Sequence, residues 1–474
     1  MLDKLKSLHL QILSGGIIAI LAVTILFPKL PFIFVPKTFV AVRLEDFVIL
    51  FFVLLSLPIL FKRRKELLQD NLVLAILGFF LIGLFSTFSA IFVTQTVTPH
   101  LAVLHYLRRI EYIAPLFLVL AVSPNLGKIT DYFKLLVFIS IVVFIYGLGQ
   151  MYFDFPVFST SNSEFAKGIP LTLGPEARVN STFAGHYDLA AYLAVSLSIF
   201  GALAFGTSFM VKGRTAKIVL LLVALSNLWL LLQTASRISF VSYLLGITVV
   251  MLLLKKRVLL ILILIFSTLS LLSSDEIRVR FFNTLKYGTK TLSQEILPQT
   301  FAQTATESAN NVTQSVSSLA TTKLYEDVVE GEPTDTQKLG VFRSSRVRFD
   351  REWPDAKRAF LRNPLLGSGY SSLGLATDND YLRSLGEVGI LGTFSFGLIF
   401  VEITKRIISF LKKTSQTNFQ KTIVIGFSGM IVAILVNATF IDVFEASKVA
   451  ILFWMFVGVL ASTMKLSDES SEDN

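Results

Sequence analysis

The chain of 474 residues contains no cysteine. That excludes disulfides, thiolate-held zinc, iron–sulfur clusters and a thiol nucleophile. Charge is scarce as well. Asp, Glu, Lys and Arg together make up 16% of the residues, against roughly 25% in a typical soluble domain. Histidine occurs only at His9, His100, His105 and His186, with no i, i+4 pair and no acidic partner at ligand spacing, so no metal site is expected. There is no P-loop and no dinucleotide fingerprint, so no cofactor is expected either.

What is abundant is apolar. Hydrophobic residues account for 53% of the chain, and the mean hydropathy is +0.68. This composition excludes a soluble enzyme, a disordered chain and a fibrous one, and predicts an all-α, polytopic membrane bundle. A span needs about 20 apolar residues. Runs of that kind lie near 12–28, 44–61, 71–93, 106–122, 132–150, 187–207, 216–233, 238–254, 258–273, 383–403, 422–440 and 447–463, which predicts about twelve transmembrane helices.

Basic residues fall in every second gap: Lys4 and Lys6, Lys62 to Lys65, Lys128, Lys212 to Lys217, Lys255 to Arg257, and Lys405 to Lys421. The positive-inside rule makes these gaps cytoplasmic, with both termini inside. The formal net charge of +10 is explained by those gaps, so nucleic acid is not an expected partner. The first run has no convincing cleavage site and reads as a signal anchor. The expected organisation is then nine spans in 1–272, a large extracytoplasmic loop in 273–382, three spans in 383–463, and a short acidic, disordered cytoplasmic tail in 464–474. Within the loop, 291–340 is rich in Ser, Thr, Gln and Ala and reads as a mobile polar insertion, whereas 343–369 is dense in arginine.

Five segments carry the candidate chemistry. In 343–370, Phe349, Trp353, Ala356 and Phe360 share one helical face, with Arg346, Arg348, Arg351, Arg358 and Arg362 around the others. Pro354 starts or kinks this helix. Arginines so arranged bind phosphates through bidentate forks; the same pattern fits a solvated helix whose arginines pair with Asp350, Glu352 and Asp355. In 378–392, Asp378, Asp380 and Glu387 lie at the mouth of the tenth span. A partly desolvated carboxylate there can act as a general base, or the acids can simply favour a helix start. Segment 177–194 brings Arg178, His186 and Asp188. Segment 233–240 puts Arg237 in a tight turn between long apolar runs, where an ionisable residue is a functional candidate. Segment 105–112 brings Arg108, Arg109 and Glu111 to the start of the fourth span.

Taken in order, Arg178-x-x-Ser-Thr-Phe before Leu189-Ala-Ala-Tyr, Thr234-Ala-Ser-Arg237, Arg348 to Trp353-x-x-Ala356 through Asn363-Pro-Leu-Leu-Gly-Ser-Gly369, and Asp378-Asn-Asp-Tyr-Leu through Gly386-Glu-Val-Gly-Ile-Leu-Gly392 resemble the O-antigen ligase and O-antigen polymerase superfamily of bacterial membrane glycosyltransferases. The resemblance covers close to the whole chain. It implies a GT-C-like bundle in the bacterial inner membrane that moves a glycan from an undecaprenyl pyrophosphate carrier. The transfer would be inverting and metal-independent, with no cofactor. By motif position Arg237 and Arg178 would meet the pyrophosphate, with Arg346 or Arg348 as a further contact. Asp378 or Asp380 would take the place of the base, Glu387 would support the site, and Arg109 and His186 are further candidates. Many ligases carry His-Asn where this chain has Asp378-Asn379, which shifts the expectation to a polymerase of polysaccharide repeat units. A ligase acting on a lipid or protein acceptor is the alternative within the superfamily. A lipid-linked glycan flippase or other transporter is the alternative from another class. Expected partners are the lipid-linked glycan, the bilayer, and chain-length regulator or flippase proteins.

Overall fold

The computed structural model describes residues 2–29, 31–34, 41–157, 172–173, 177–206, 214–273, 347–373, 377–413 and 416–472. The predicted insertion 291–340 and Arg346 lie outside these. The chain forms two compact units, Met1–Ser270 with Arg348–Asn474, and Leu271–Val347. The second is described only at 271–273 and 347, and everything below concerns the first.

The unit is built from helices α1 (Leu2–Leu26), α2 (Leu44–Lys62), α3 (Arg64–Leu67), α4 (Asn71–Phe88), α5 (Pro99–Val122), α6 (Leu126–Tyr152), α7 (His186–Phe205), α8 (Arg214–Gln233), α9 (Arg237–Leu253), α10 (Arg257–Ser273), α11 (Trp353–Arg362), α12 (Asp380–Lys412), α13 (Asn418–Asn437) and α14 (Ser447–Glu472). Among the described residues the only strands are the antiparallel pair β1 (Pro31–Phe34) and β2 (Ala41–Arg43). Nine of the described helices are long and apolar enough to cross a membrane, so this is a multi-pass helical membrane protein. Helices α9 and α10 are apolar but have 17 residues each. Helix α5 has 24 residues and carries Arg108, Arg109 and Glu111. The acidic tail expected to be disordered continues α14 as far as Glu472, because extending an existing helix costs far less than starting one.

Helices α7, α13 and α14 are buried on nearly every side, while α2, α8 and α10 turn large apolar side chains such as Phe51, Leu222 and Ile261 outward. Sequence explains the difference. Helices α7, α9 and α13 meet through small residues, which is how helices associate closely where no hydrophobic effect separates them from lipid. At the α9–α13 crossing a side chain on Gly246 would sit 2.9 Å from the Gly429 carbonyl, and one on Gly429 would sit 2.7 Å from the Gly246 carbonyl.

The feature that positions the site is a break in α12 at Gly389 (φ 67°, ψ −167°). In an unbroken helix the Ile390 and Leu391 N–H groups would donate to the carbonyls of Gly386 and Glu387. Here all four groups find partners in the preceding turn. Ser368 N–H donates to Gly386 (2.8 Å) and Gly369 N–H to Glu387 (2.9 Å), while Ile390 and Leu391 donate to Pro364 (2.9 Å) and Leu365 (3.2 Å). Asn363 shapes that turn by accepting from Leu366 N–H. The two glycine-rich motifs are thus one interlocked structure.

The turn carries α11 against α12. Its approach differs from the expected helical stripe. A π-helical turn, Val347–Glu352, precedes α11, and Pro354 lies in the first α turn. The wider π turn rotates Phe349 out of line. Phe349 is exposed, while Ala356 is buried as expected, together with Ala359, against Leu373 and Leu382.

A methyl group at position 389 would lie 2.5 Å from the backbone of Leu365, and its φ, ψ pair is essentially restricted to glycine. Gly389→Ala should therefore cost at least about 2 kcal/mol. Thermal unfolding of the detergent-purified protein, alongside Gly397→Ala, where the added methyl meets nothing within 4 Å, checks this. Equal melting temperatures for the two variants would contradict it.

Candidate functional site

The site is built around the start of α7. Its N-cap is Gly185, which offers no side chain to cap the helix, and the next three residues each meet a cation. Arg178 Nη1 lies 2.7 Å from His186 Nε2. The guanidinium groups of Arg178 and Arg348 lie 6.0 and 5.7 Å from the centre of the Tyr187 ring, within cation–π range. Lys29 Nζ lies 3.7 Å from Asp188. Arg348 also grips Asp378: its Nε and Nη2 stand 2.8 and 2.6 Å from Asp378 Oδ2. Arg178, His186, Arg348 and Asp378, all expected from sequence, are thereby brought together around Tyr187.

The segment leading into α7 is locked from below. Gln150 Oε1 accepts from Ser181 N–H (2.7 Å), and Ser181 Oγ donates to the Val143 carbonyl (2.6 Å). Lys448, 1% exposed, uses its ammonium on three backbone carbonyls: Ile25 (2.9 Å), Phe27 (2.7 Å) and Thr182 (2.6 Å). A buried charge is tolerated only when hydrogen-bonded in this way. Burial pushes the nearby Lys29 down to about 8, against the pull of Asp188.

Asp378 sits at φ 50°, held by a second carboxylate. Asp442 accepts from the backbone N–H of Thr377 (2.7 Å) and Asn379 (3.1 Å), one on either side. Asn379 then caps α12 by accepting from Leu382 N–H. Burial, with Asp442 adding repulsion and Arg348 opposing it, holds the Asp378 carboxyl above the usual range. Glu352 lies close to both acids. Burial together with the charges of Asp378 and Asp442 pushes it up to about 7.

Asp380, Glu387 and Arg109 belong to a deeper network. Asp380 accepts from Phe444 N–H (3.2 Å). Arg383 reaches Asp442 (3.1 Å) and Glu387 (3.5 Å). Arg109 reaches Glu387 (3.4 Å), the Phe444 carbonyl (3.1 Å) and Glu445. The cavity these residues line, with Tyr370 and Phe444, has a volume of about 40 Å³. A water needs at least ~10–15 Å³, so the cavity has room for a few waters and none for a sugar.

Arg237 opens α9, half-buried, after a tight turn in which Ala235 has φ 51°. The turn is tied to the end of α13 by Ser236 Oγ donating to Ser239 Oγ (2.9 Å), which donates to Asn437 Oδ1 (2.7 Å). Asn437 leads directly into the segment 438–446 that holds Asp380 and Asp442, so Arg237 stands at the same end of the bundle.

Sequence reasoning missed Tyr187, Lys29, Glu352, Arg383, Asp442 and Lys448 as site residues. Arg383, Asp442 and Lys448 did leave a signal, since each is a charge set in a strongly apolar stretch. Glu352 is legible only as a partner for the arginines of its own segment, and Tyr187 left no signal. No protein-family model matches the chain, and no curated protein matches it.

The Glu352 shift predicts a pH dependence. A carboxyl whose folded-state pKa is raised from 4.5 to about 7 costs stability as pH rises through that window, and the stability is fully present below it. Relative to wild type, Glu352→Gln should therefore be more stable at pH 7.5 than at pH 5. Melting temperatures in detergent at the two pH values test this, and a difference independent of pH would refute it.

Proposed function

We propose that the protein is a membrane glycosyltransferase that polymerises lipid-linked oligosaccharide repeat units. The observation that carries this reading is the convergence of Arg178, Arg348 and Asp378 on Tyr187 at one end of a membrane bundle. Transfer from a lipid diphosphate needs positive charge for the leaving group and a base for the acceptor hydroxyl, both at the membrane surface.

In this reading the chain crosses twelve times, counting α5, α9 and α10, with the basic turns in the cytoplasm and the site outside. The acceptor hydroxyl attacks the anomeric carbon. The bond from that carbon to the diphosphate oxygen breaks, and its electron pair leaves with the diphosphate. Arg178, Arg237 and Arg348 neutralise the departing charge, and the hydroxyl proton passes to the Asp378 carboxylate. Protonated Asp378 no longer competes for Arg348, which turns to the phosphate as the leaving charge develops. Burial of Asp378 supports its use as a base, because a carboxyl held above the usual range binds the proton more readily. The crowding of charged side chains at this end, with few in the middle of the spans, favours surface chemistry over transport.

The test uses the protein in detergent with lipid-linked repeat units from its own host, with products resolved on a gel. A ladder that grows without any other acceptor is the expected result. A single shift seen only with an added lipid or protein acceptor would make it a ligase instead. Arg237→Ala and Arg178→Ala should abolish extension while the protein still inserts and melts normally. Asp378→Asn should slow transfer by about 10²-fold or more. Normal chain lengths in the Arg237 variant would sink the assignment.

A further inference from the structure

Two buried polar atoms beside the Arg348–Asp378 pair are without partners. Glu352 Oε2 accepts no hydrogen bond and Trp353 Nε1–H donates none among the described residues, although both atoms are shielded from solvent. Leaving such groups unmet carries the full cost of their desolvation, and native structures rarely do so without a reason. The two residues are adjacent, at the junction where the π turn becomes α11. Both lie against the acidic loop: Glu352 feels the charges of Asp378 and Asp442, and the Trp353 ring lies 5.7 Å from that of Phe440. Phe349 stands 4.7 Å from Trp353 on the other side. Phe349 and Phe440 are both exposed.

An acceptor oxygen, a ring N–H donor and exposed aromatic faces make a composition suited to a polyhydroxylated ring, which offers hydroxyl donors, oxygen acceptors and apolar C–H faces. It is wrong for phosphate. Glu352, Asp378 and Asp442 outnumber the cations that reach them, Arg348 and Arg383, which disfavours a dianion, while a hydroxyl can donate to a carboxylate at no electrostatic cost. We propose that Glu352 and Trp353 form the acceptor-sugar subsite, uncovered when the exposed Phe349 ring moves off Trp353, with Glu352 Oε2 then accepting from a sugar hydroxyl and Trp353 Nε1–H donating to another oxygen of the same sugar. The word acceptor rests on the glycosyl-transfer reading above; the binding of a sugar ring at this place does not. The donor's diphosphate and the acceptor's sugar are then kept apart by charge, the first drawn to Arg178 and Arg348 and the second to the acidic side of Asp378.

The probe is the free oligosaccharide released by mild acid from the host's lipid-linked repeat units and labelled with tritium. Its binding to the detergent-solubilised full chain is measured by equilibrium dialysis. Wild type should bind saturably. Glu352→Gln, close in shape to the native residue, and Trp353→Phe, which removes the N–H with the five-membered ring, should each weaken binding by about tenfold with unchanged melting behaviour at pH 5. Arg358→Gln, on the exposed face of α11, should leave it unaltered. In a transfer assay with the free oligosaccharide as the acceptor, Glu352→Gln should raise KM for that oligosaccharide and leave KM for the lipid-linked donor unchanged. No binding by wild type, or wild-type affinity in both variants, overturns the subsite. Binding with these losses but no transfer under any condition would overturn the transferase reading and leave the sugar site standing. Transfer with an unchanged acceptor KM in both variants would do the reverse.

Discussion

The re-pairing of the helix break at Gly389 is the constraint on which the rest of the site depends. Within a bilayer there is no water to satisfy an opened helix, so a non-helical backbone persists only where protein supplies the missing bonds. The Pro364–Gly369 turn supplies them. Because the same turn follows α11 directly, satisfying the break also docks α11 on α12. That docking holds Arg348 and Glu352 beside Asp378 at the entrance of the helix. Backbone hydrogen bonding at one residue thus determines where a guanidinium and two carboxylates meet.

Charge is organised around that lock in two tiers. Arg109, Arg383, Asp380, Asp442, Glu387 and Glu445 form a buried network whose members answer one another. Such networks contribute little net stability, because desolvation offsets much of the attraction. What this one does is geometric: Asp442 fixes the backbone on both sides of Asp378. Above it, Arg178, Arg348 and Asp378 surround Tyr187 less completely buried. The lower tier holds positions, and in the proposed reaction the upper tier meets the substrate.

The helical, multi-pass architecture was legible from composition and from the length of the apolar runs, because both follow from bilayer thickness. Arg178, His186 and Asp378 were legible as polar groups at the mouths of apolar runs, and Arg348 as part of an arginine-rich helix. Their convergence on Tyr187 was not, since it depends on the Asn363–Gly369 turn meeting Gly386–Leu391, a pairing between two segments that no local pattern announces. The stripe in 343–362 was misread for a local reason. A period of 3.6 was extended across a π turn, which shifts every residue before Trp353. Asp380 and Glu387 looked like Asp378 in sequence, and only burial with Arg109 and Arg383 separates their surroundings from its own.

Lys448 has a temporal consequence. It lies in the first turn of α14, whereas the carbonyls it holds belong to residues 25, 27 and 182. A ribosome delivers those acceptors to the membrane hundreds of residues before the ammonium that joins them. Until then the segment bearing Arg178 is held by Gln150 and the Val143 carbonyl, and its tie to the start of the chain through Lys448 is among the last contacts that synthesis can complete.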